Sequence, residues 1–425
     1  MSTRFLGIFV MFSVFGASHA WGQWESGSDG SDGAFNPAGS VMVDLSLAIP
    51  GDALTTPGTG NGVYDATRWV VCFKYTSINV PAGATITFGM HPSGAPVVWL
   101  ATGNVTIDGR VNLDGEDGIG PNPPIIPYYT RPGPGGFEGG QAGHSGAAGA
   151  SFGLGPGSSP TNSDSDRGAG ASHANIPDQS GCCGSTPLTG PIYGDATGMP
   201  LLGGSGGNVP PARPLDRSGG AGGGAILIAA PVQITLGAPG SITAQGGDGT
   251  PFFGAGSGGT IRLRAATVSL AAGSQIIGRG GVGGGDGGCG GICGYGGDGR
   301  VRIEGSTVNN GGTINGSQSF PGAPSVVFPA SPPRLFVTSI CGQAVSGDPA
   351  WGMKTADVQL NSASACTVNI GATGVPQFNI VEIRVIPARG IIFTVNSTPL
   401  SAGGTATANV TFPAGRSEIQ LRANW

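Results

Sequence analysis

Ala225-Ile-Leu-Ile-Ala-Ala, Val232-Gln-Ile-Thr-Leu and Ser241-Ile-Thr-Ala-Gln-Gly-Gly are three short runs of β-forming residues, and the third ends in glycine. The same order of runs returns after Thr260 and, in shorter form, after Arg300. Earlier copies begin at Trp69 and Val97. A pattern that returns at a spacing of roughly 20 residues indicates a repeat fold, in which each copy covers its neighbour. The chain is therefore predicted to contain about five stacked coils.

Within these runs, Ile, Val and Leu alternate with Thr, Gln, Arg and Asn. Alternate side chains of a strand face opposite sides, so the apolar set would fill the inside of each coil. Three strands per coil, each about 4.8 Å from its equivalent in the next coil, predict a parallel β-helix (solenoid) over residues 69–325. In that register Arg262 would lie beside Arg302, and Arg264 beside Glu304. We expect these four residues to form a charged ladder on the solvent face.

Glycine accounts for 84 of the 425 residues but has no strict every-third spacing, which excludes collagen. The glycines cluster between the β-forming runs, where tight turns require them. The longest glycine-rich stretch, 116–224, is an insertion between the second and third coils and shows no sustained period. It is predicted to be either a lateral excursion or partly disordered. Shorter insertions at 247–259 and 281–299 leave the coils at the same corner, so the loops should collect along one edge.

The N-terminus has the pattern of a secretory signal peptide over residues 1–20. Arg4 supplies the positive charge, Phe5–Gly16 is apolar, and Ala20 ends a small-residue cleavage site that leaves Trp21 first. No later run reaches the roughly 20 apolar residues of a membrane helix, so no transmembrane span is predicted after cleavage. The protein should be secreted or located at the cell surface.

Charge composition excludes one class of partner. Removing Arg4 leaves 24 acidic and 18 basic residues, a net charge of −6. Nucleic acid is not an expected partner, because phosphate binding needs clustered Lys and Arg and the sequence has no such cluster.

Three further regions complete the predicted organisation. Residues 21–68 form an N-terminal cap region, which would cover an open solenoid end. Residues 326–333, rich in proline, form a linker. Residues 334–425 contain less glycine and seven short alternating runs, which predict an immunoglobulin-like β-sandwich. One of the seven predicted strands is Ala356–Leu360.

Seven cysteines in an exported chain predict disulfide bonds. Cys341 and Cys366 are alone in the C-terminal region and form the best pair. Cys182 and Cys183 are expected to pair with Cys289 and Cys293, in an undetermined combination, and would connect the long insertion to a later loop. A zinc site is the alternative for these four, although an adjacent cysteine pair does not suit zinc spacing. Cys72 is then the unpaired residue, buried in a strand.

An acidic cluster follows the second coil. Asp114, Glu116 and Asp117 are separated only by Gly115. Carboxylates near glycine suit an oxygen-ligand cation such as calcium, so these residues are the candidate metal ligands. The alternative is a solvated turn.

Two segments and the coils together suggest a family. The segments are Asp29-Gly-Ser-Asp-Gly-Ala-Phe-Asn-Pro and His91-Pro-Ser-Gly-Ala-Pro-Val-Val-Trp-Leu. With the Gly-Gly-Ala-Ile-Leu-Ile style coils they resemble glycine-rich exported bacterial proteins of the right-handed β-helix, adhesin-like surface type. The resemblance covers roughly residues 26–318, and the C-terminal region resembles the immunoglobulin-like modules that often follow such stalks. It implies a right-handed solenoid and supplies no catalytic residue.

Two functions remain open. The first is a non-enzymatic surface or extracellular-matrix protein with an adhesive or structural role, which would bind carbohydrate or other surface components. The second is a polysaccharide lyase or hydrolase acting in a β-helix groove, for which the outward arginines would neutralise an acidic sugar. No cofactor other than calcium is expected. Trp351, in a predicted loop of the C-terminal region, is a candidate for an exposed ligand contact.

Overall fold

The computed structural model describes residues 24–120, 128–141, 151–159, 167–178, 189–210, 217–284, 294–329, 332–353, 355–361, 364–388 and 391–424. The described chain is all-β, as predicted, and its one helical segment is the 3-10 turn Leu45–Leu47. The predicted signal peptide, residues 1–20, lies outside the described residues.

Nineteen strands precede the C-terminal region. Those of the N-terminal region are β1 (Gly33–Phe35), β2 (Val41–Asp44), β3 (Ile49–Pro50) and β4 (Val63–Asp65). The repeated runs form β5 (Val70–Val80), β6 (Thr85–Gly89), β7 (Val97–Ala101), β8 (Val105–Ile107), β9 (Arg110–Asn112), β10 (Ala225–Ala229), β11 (Gln233–Leu236), β12 (Ser241–Thr243), β13 (Thr260–Arg264), β14 (Thr267–Leu270), β15 (Gln275–Ile277), β16 (Arg300–Glu304), β17 (Thr307–Asn310), β18 (Thr313–Asn315) and β19 (Ser317–Gly322).

The repeated strands pair in parallel with the equivalent strand of the next repeat. A 13-stranded sheet has the path β17-β14-β11-β8-β5-β7-β10-β13-β16-β19, and a six-stranded sheet has the order β18-β15-β12-β9-β6-β2. The predicted register is confirmed, because Arg262 pairs with Arg302 and Arg264 with Glu304. Parallel pairing in register superimposes equivalent apolar positions, so Ile226 lies beside Ile261.

The strands at the centre of the large sheet are buried on both faces. Ile226 and Ile228 belong to an inner apolar cluster. Leu227, on the opposite face, packs in a second cluster with Leu201 and Phe328. A strand covered on both sides needs a continuous apolar run, which is why β10 consists of Ala, Ile and Leu alone. The expectation that this outer face meets solvent is therefore wrong.

The described glycine-rich segments form an ordered array, here called the glycine bundle. Its N–H groups do not form strand ladders. In 217–224, the N–H groups of Gly219, Gly220 and Ala221 donate to three different segments. The N–H groups of the next three residues donate to the same three segments in the same order, and we call this repeated order a rotation of three. The acceptors of the six bonds are the carbonyl oxygens of Gly140, Gly254, Glu116, Phe137, Ser257 and Leu113, in that order. The bundle comprises 113–120, 128–141, 151–159, 167–178, 202–210, 217–224, 244–250, 252–259, 278–284 and 294–299.

A second bundle segment has the same rotation. From Gly254 to Gly259, successive N–H groups donate to segments 202–210, 294–299 and 244–250, and then to the same three again. Three residues per turn without internal hydrogen bonds is the geometry of the polyproline II helix. Within the 116–224 insertion, whose sequence shows no sustained period, the described segment 217–224 thus has a period of three in its hydrogen bonds.

Glycine is required because the segments approach one another at backbone distance. A Cβ atom on Gly222 would lie 1.8 Å from the carbonyl oxygen of Gly204. One on Gly259 would lie 1.7 Å from the carbonyl oxygen of Gly224. The insertions 247–259 and 281–299 contribute described segments to the same bundle, so all three insertions lie together, as the sequence predicted.

The C-terminal region has two antiparallel sheets that share one apolar core. Their orders are β21-β20-β22-β25 and β24-β23-β26. The predicted strand Ala356–Leu360 does not form. Asp357 instead accepts a hydrogen bond from the Ala350 N–H at 2.8 Å and holds this part of the chain in a loop. The strands are β20 (Arg334–Ile340), β21 (Gln343–Ala344), β22 (Cys366–Thr373), β23 (Ile380–Pro387), β24 (Phe393–Pro399), β25 (Thr405–Val410) and β26 (Ser417–Arg422).

The bundle predicts a specific response to added methyl groups. Gly222→Ala should destabilise the protein by about 1–3 kcal/mol, the usual cost of overpacking, because its Cβ would overlap a backbone oxygen. Gly120→Ala is the matched control, since no atom of the described residues lies within 4 Å of its Cβ position. Chemical denaturation monitored by circular dichroism measures both. Equal stability of the two variants would contradict close backbone packing.

Candidate functional site

The charged ladder predicted for solvent is buried. Arg262 is 1% exposed, Arg264 4%, Arg302 9% and Glu304 0%. Arg262 Nε and Arg302 Nε both donate to Glu304 Oε1, at 2.8 and 2.6 Å. The prediction of a solvated ladder is wrong, because chain segments distant in sequence cover this face of the sheet.

The covering segments are held by the same guanidinium groups. Arg262 donates to the carbonyl oxygens of Val327 and Val326 at 3.0 and 2.9 Å. Arg302 donates to the Ala196 carbonyl at 2.9 Å, and Arg264 donates to the Glu25 carbonyl at 2.8 Å. The arginines therefore connect three distant parts of the chain to one sheet, and they are not available to bind an acidic sugar.

Glu304 is the anion that neutralises this cluster. Burial raises the pKa of its carboxyl group, but hydrogen bonds from Arg262 and Arg302, together with the Arg262 charge, outweigh burial and lower the pKa to about 2. Ser325 adds hydrogen bonds from its N–H and hydroxyl to Oε2, at 2.6 and 2.8 Å. The folded state therefore requires Glu304 to be ionised.

Removing this charge should destabilise the fold. Glu304→Gln leaves two buried guanidinium groups without their anion, and breaking a buried ion pair costs about 3–5 kcal/mol. Because the pKa of Glu304 in the folded state is depressed, its contribution to stability is full above the ordinary glutamate pKa of 4.5 and is lost as pH falls toward 2. Urea unfolding at several pH values should show the largest difference from wild type near pH 7 and a shrinking one below pH 4.5. Glu25→Gln, at an exposed side chain, is the control. Equal effects of both substitutions on stability would contradict the role of Glu304 as the anion that neutralises the arginine cluster.

The predicted calcium ligands have separate partners. Asp114 forms an ion pair with Arg110 at 2.5 Å, and its Oδ1 accepts from the Gln245 N–H at 2.7 Å. Glu116 accepts from the Tyr128 hydroxyl at 2.5 Å. No group of three or more His, Cys, Asp or Glu residues within the described ranges is placed to hold a metal ion. Calcium binding stays a prediction.

The carboxylates have a visible structural role at the edge of the glycine bundle. Asp117 Oδ1 accepts from the Asp248 N–H at 2.8 Å, and Asp248 Oδ1 accepts from the Val282 N–H at 2.7 Å. With Asp114, they supply acceptors to N–H groups that face outward from the bundle. The spacing of three between Asp114 and Asp117 matches the hydrogen-bond period.

The cysteines divide into three sets. Cys341 and Cys366 form the predicted disulfide bond. Cys72 is unpaired and buried in β5, as expected, and burial raises the pKa of its thiol. The remaining four lie outside the described residues: Cys182, Cys183, Cys289 and Cys293.

Trp351 attaches the C-terminal region to the repeated strands. Its ring lies against Gly94, where a Cβ atom would be 2.3 Å from the indole. Trp69 and Phe137 flank it, with ring centroids 5.2 and 4.7 Å away. The backbone N–H of Trp351 donates to the Pro92 carbonyl oxygen at 3.1 Å. The ring is half-buried between the two regions and also lines the cleft described below, so a ligand contact by Trp351 stays a prediction.

A second attachment joins the outer face of β23 to the bundle. Arg384, 8% exposed, donates to the carbonyl oxygens of Ser158 and Ser159 at 3.0 and 3.1 Å. Ile386 packs in one apolar cluster with Phe152 and Leu154 of the bundle. The C-terminal region is thus fixed to the bundle by polar and apolar contacts.

A cleft of about 1270 Å³ opens beside this junction. Strands β20 and β26 form its walls, the loop 345–361 covers it, and Trp69 and Trp351 lie at one end. Its lining is largely aliphatic and half-buried. The apolar side chains from the two strands and the loop are Leu335, Val337, Ile340, Val345, Val358, Leu360, Ile419 and Leu421.

One carboxyl group in the cleft has a perturbed pKa. Burial, aided by the charge of Glu138, raises the pKa of Glu418 to about 7 against the opposing influence of Gln420 and Arg384. Gln420 Nε2 donates to Glu418 Oε1 at 2.8 Å. Ser417 Oγ and Gln420 Oε1, on the same strand, are buried and have no hydrogen-bond partner among the described residues. Unsatisfied polar atoms beside an apolar lining are typical of a binding site.

Sequence reasoning missed this cleft. Its walls lie far apart in the chain, and its lining residues look like ordinary strand residues. The signals in the sequence were Trp351, a candidate ligand contact that lines the cleft, and the weak strand pattern at Ala356–Leu360, which contains Asp357.

Comparison with known proteins adds no relative: no family model, curated protein or solved structure matches the chain. In the described part of the chain, no helix is long and apolar enough to cross a membrane.

Proposed function

We propose that this chain is an exported surface or extracellular-matrix protein with an adhesive role, and that the junction cleft is its binding site. In this proposal the repeated strands form a right-handed parallel β-helix and the two antiparallel sheets form a β-sandwich. The signal-peptide pattern of residues 1–20 supports export, to the cell exterior or surface.

The observation that carries the proposal is the firm attachment of the C-terminal region, which contains the cleft, to the rest of the protein. Trp351 and Arg384 fix the C-terminal region to the glycine bundle, and the bundle is hydrogen-bonded to the coils. A binding surface on a rigid frame loses little conformational entropy when it takes a ligand. Such a frame suits adhesion, in which force passes from the bound surface through the protein.

The alternative, a polysaccharide lyase or hydrolase, loses three of its candidate arginines in the structure, whereas Arg279, another outward position of the repeats, is exposed. Arg262, Arg264 and Arg302 would have neutralised the acidic sugar, but they are buried in the Glu304 cluster. Binding without turnover is therefore the function that the geometry favours.

Binding by the cleft can be measured directly. The chain from Trp21 onward, labelled with a fluorophore, should adsorb to isolated cell-wall polysaccharide or matrix protein. Val358→Lys places a charge in the cleft lining and should weaken adsorption at least tenfold, because an unpaired charge must be desolvated on binding. Leu47→Lys is the control, since Leu47 is 57% exposed in the N-terminal region. Equal adsorption by both variants, or release of sugar products, would contradict the proposal.

A further inference from the structure

The two walls of the cleft are strand edges without partners. β26 pairs only with β23 among the described strands. β20 pairs with β22 on one side, and on the other meets only the two-residue β21 at Ser339 and Ile340. The edge formed by Arg334–Val337 therefore has no ladder partner within the described ranges. Unpaired backbone N–H and C=O groups on a strand edge are a template for another strand.

The described residues of the loop 345–361 lie over this side of the cleft but form no strand ladder with β20 or β26. The sequence predicted a strand at Ala356–Leu360, which could have paired at this edge, but Asp357 holds the segment as a loop. On the opposite side, the consecutive strands β24 and β25 belong to different sheets and pack against each other, which joins the two sheets there. The two sheets are therefore joined closely along one side, whereas on the other side β20 and β26 contact each other at few positions and the aliphatic cleft lies beside them.

The dimensions and chemistry of the opening suit a polypeptide. Small-molecule pockets measure about 300–1,000 Å³, and this cleft is larger. β26 has six residues, so its edge is roughly 20 Å long at about 3.3 Å per residue. An added strand would satisfy the backbone edges, bury alternate apolar side chains against Val337 and Ile419, and offer donors to Gln420 Oε1.

We infer that the cleft accepts an extended segment of a partner polypeptide, which adds as a strand beside β26 with alternate apolar side chains directed inward. The inference rests on the proposed function for its biological role and names the partner chemistry of that site. Backbone pairing gives affinity, and the aliphatic lining selects apolar residues at every second position.

A synthetic peptide tests the inference. An acetylated, amidated heptapeptide of alternating Thr and Val is added to the protein, and binding is followed by titration calorimetry and amide hydrogen exchange. We expect saturable binding and slower exchange in Ser417–Arg422. Two further versions of the peptide carry N-methyl groups, one on the odd-numbered amides and the other on the even-numbered amides. One of the two should bind roughly tenfold more weakly than the unmodified peptide, because its methylated amides are those that would pair with the strand edge. Val358→Lys should weaken binding of the unmodified peptide, whereas Leu47→Lys should not.

Three other results would contradict the inference. Equal affinity for the N-methylated and unmodified peptides would show apolar contact without strand pairing. Binding of decanoate without binding of the peptide would assign an acyl-chain site. Concentration-dependent dimers that slow exchange in β26 would assign the cleft to a second copy of this chain. Peptide binding together with failed surface adsorption would refute the proposed function and leave this inference intact.

Discussion

Backbone hydrogen bonds between glycine-rich segments are the constraint on which the rest of the structure depends. In 217–224 and 254–259, each N–H group donates to a different neighbour in a rotation of three. No side chain fits between segments that approach so closely, so glycine is required on every side that faces a neighbour. At Gly222 and Gly259, for example, an added Cβ atom would overlap a carbonyl oxygen of the neighbouring segment.

This constraint explains how a chain with few charged residues builds a rigid frame. The bundle continues directly from the ends of the coil strands, as Ala244 and Gly224 show by bonding across that boundary. Its edge is completed by Asp114, Asp117 and Asp248, whose carboxylates accept outward N–H groups. The C-terminal region then attaches through Arg384 to bundle carbonyls. The charged residues thus act at edges and junctions, where the backbone alone leaves groups unsatisfied.

The sequence predicted the repeated strands well because alternation of apolar residues is a local signal. The register of Arg262 with Arg302 followed from it, while the disulfide between Cys341 and Cys366 followed from their being the only two cysteines of the C-terminal region. Exposure of the arginines was mispredicted because the covering residues, such as Ala196 and Val327, are distant in sequence. The bundle escaped notice for a different reason. Collagen shows glycine at every third residue because only one side of each chain faces the axis, whereas a segment with neighbours on three sides needs glycine nearly everywhere.

Amide hydrogen exchange of the glycine bundle, measured by NMR on the isolated protein, tests the central claim most directly. If the rotation of hydrogen bonds is present, the amides of Gly219–Gly224 and Gly254–Gly259 should exchange as slowly as those of β10 and β13, because both are released only by large-scale unfolding. Exchange of these glycine amides at the rate of an unstructured loop, with β10 and β13 protected, would contradict the account.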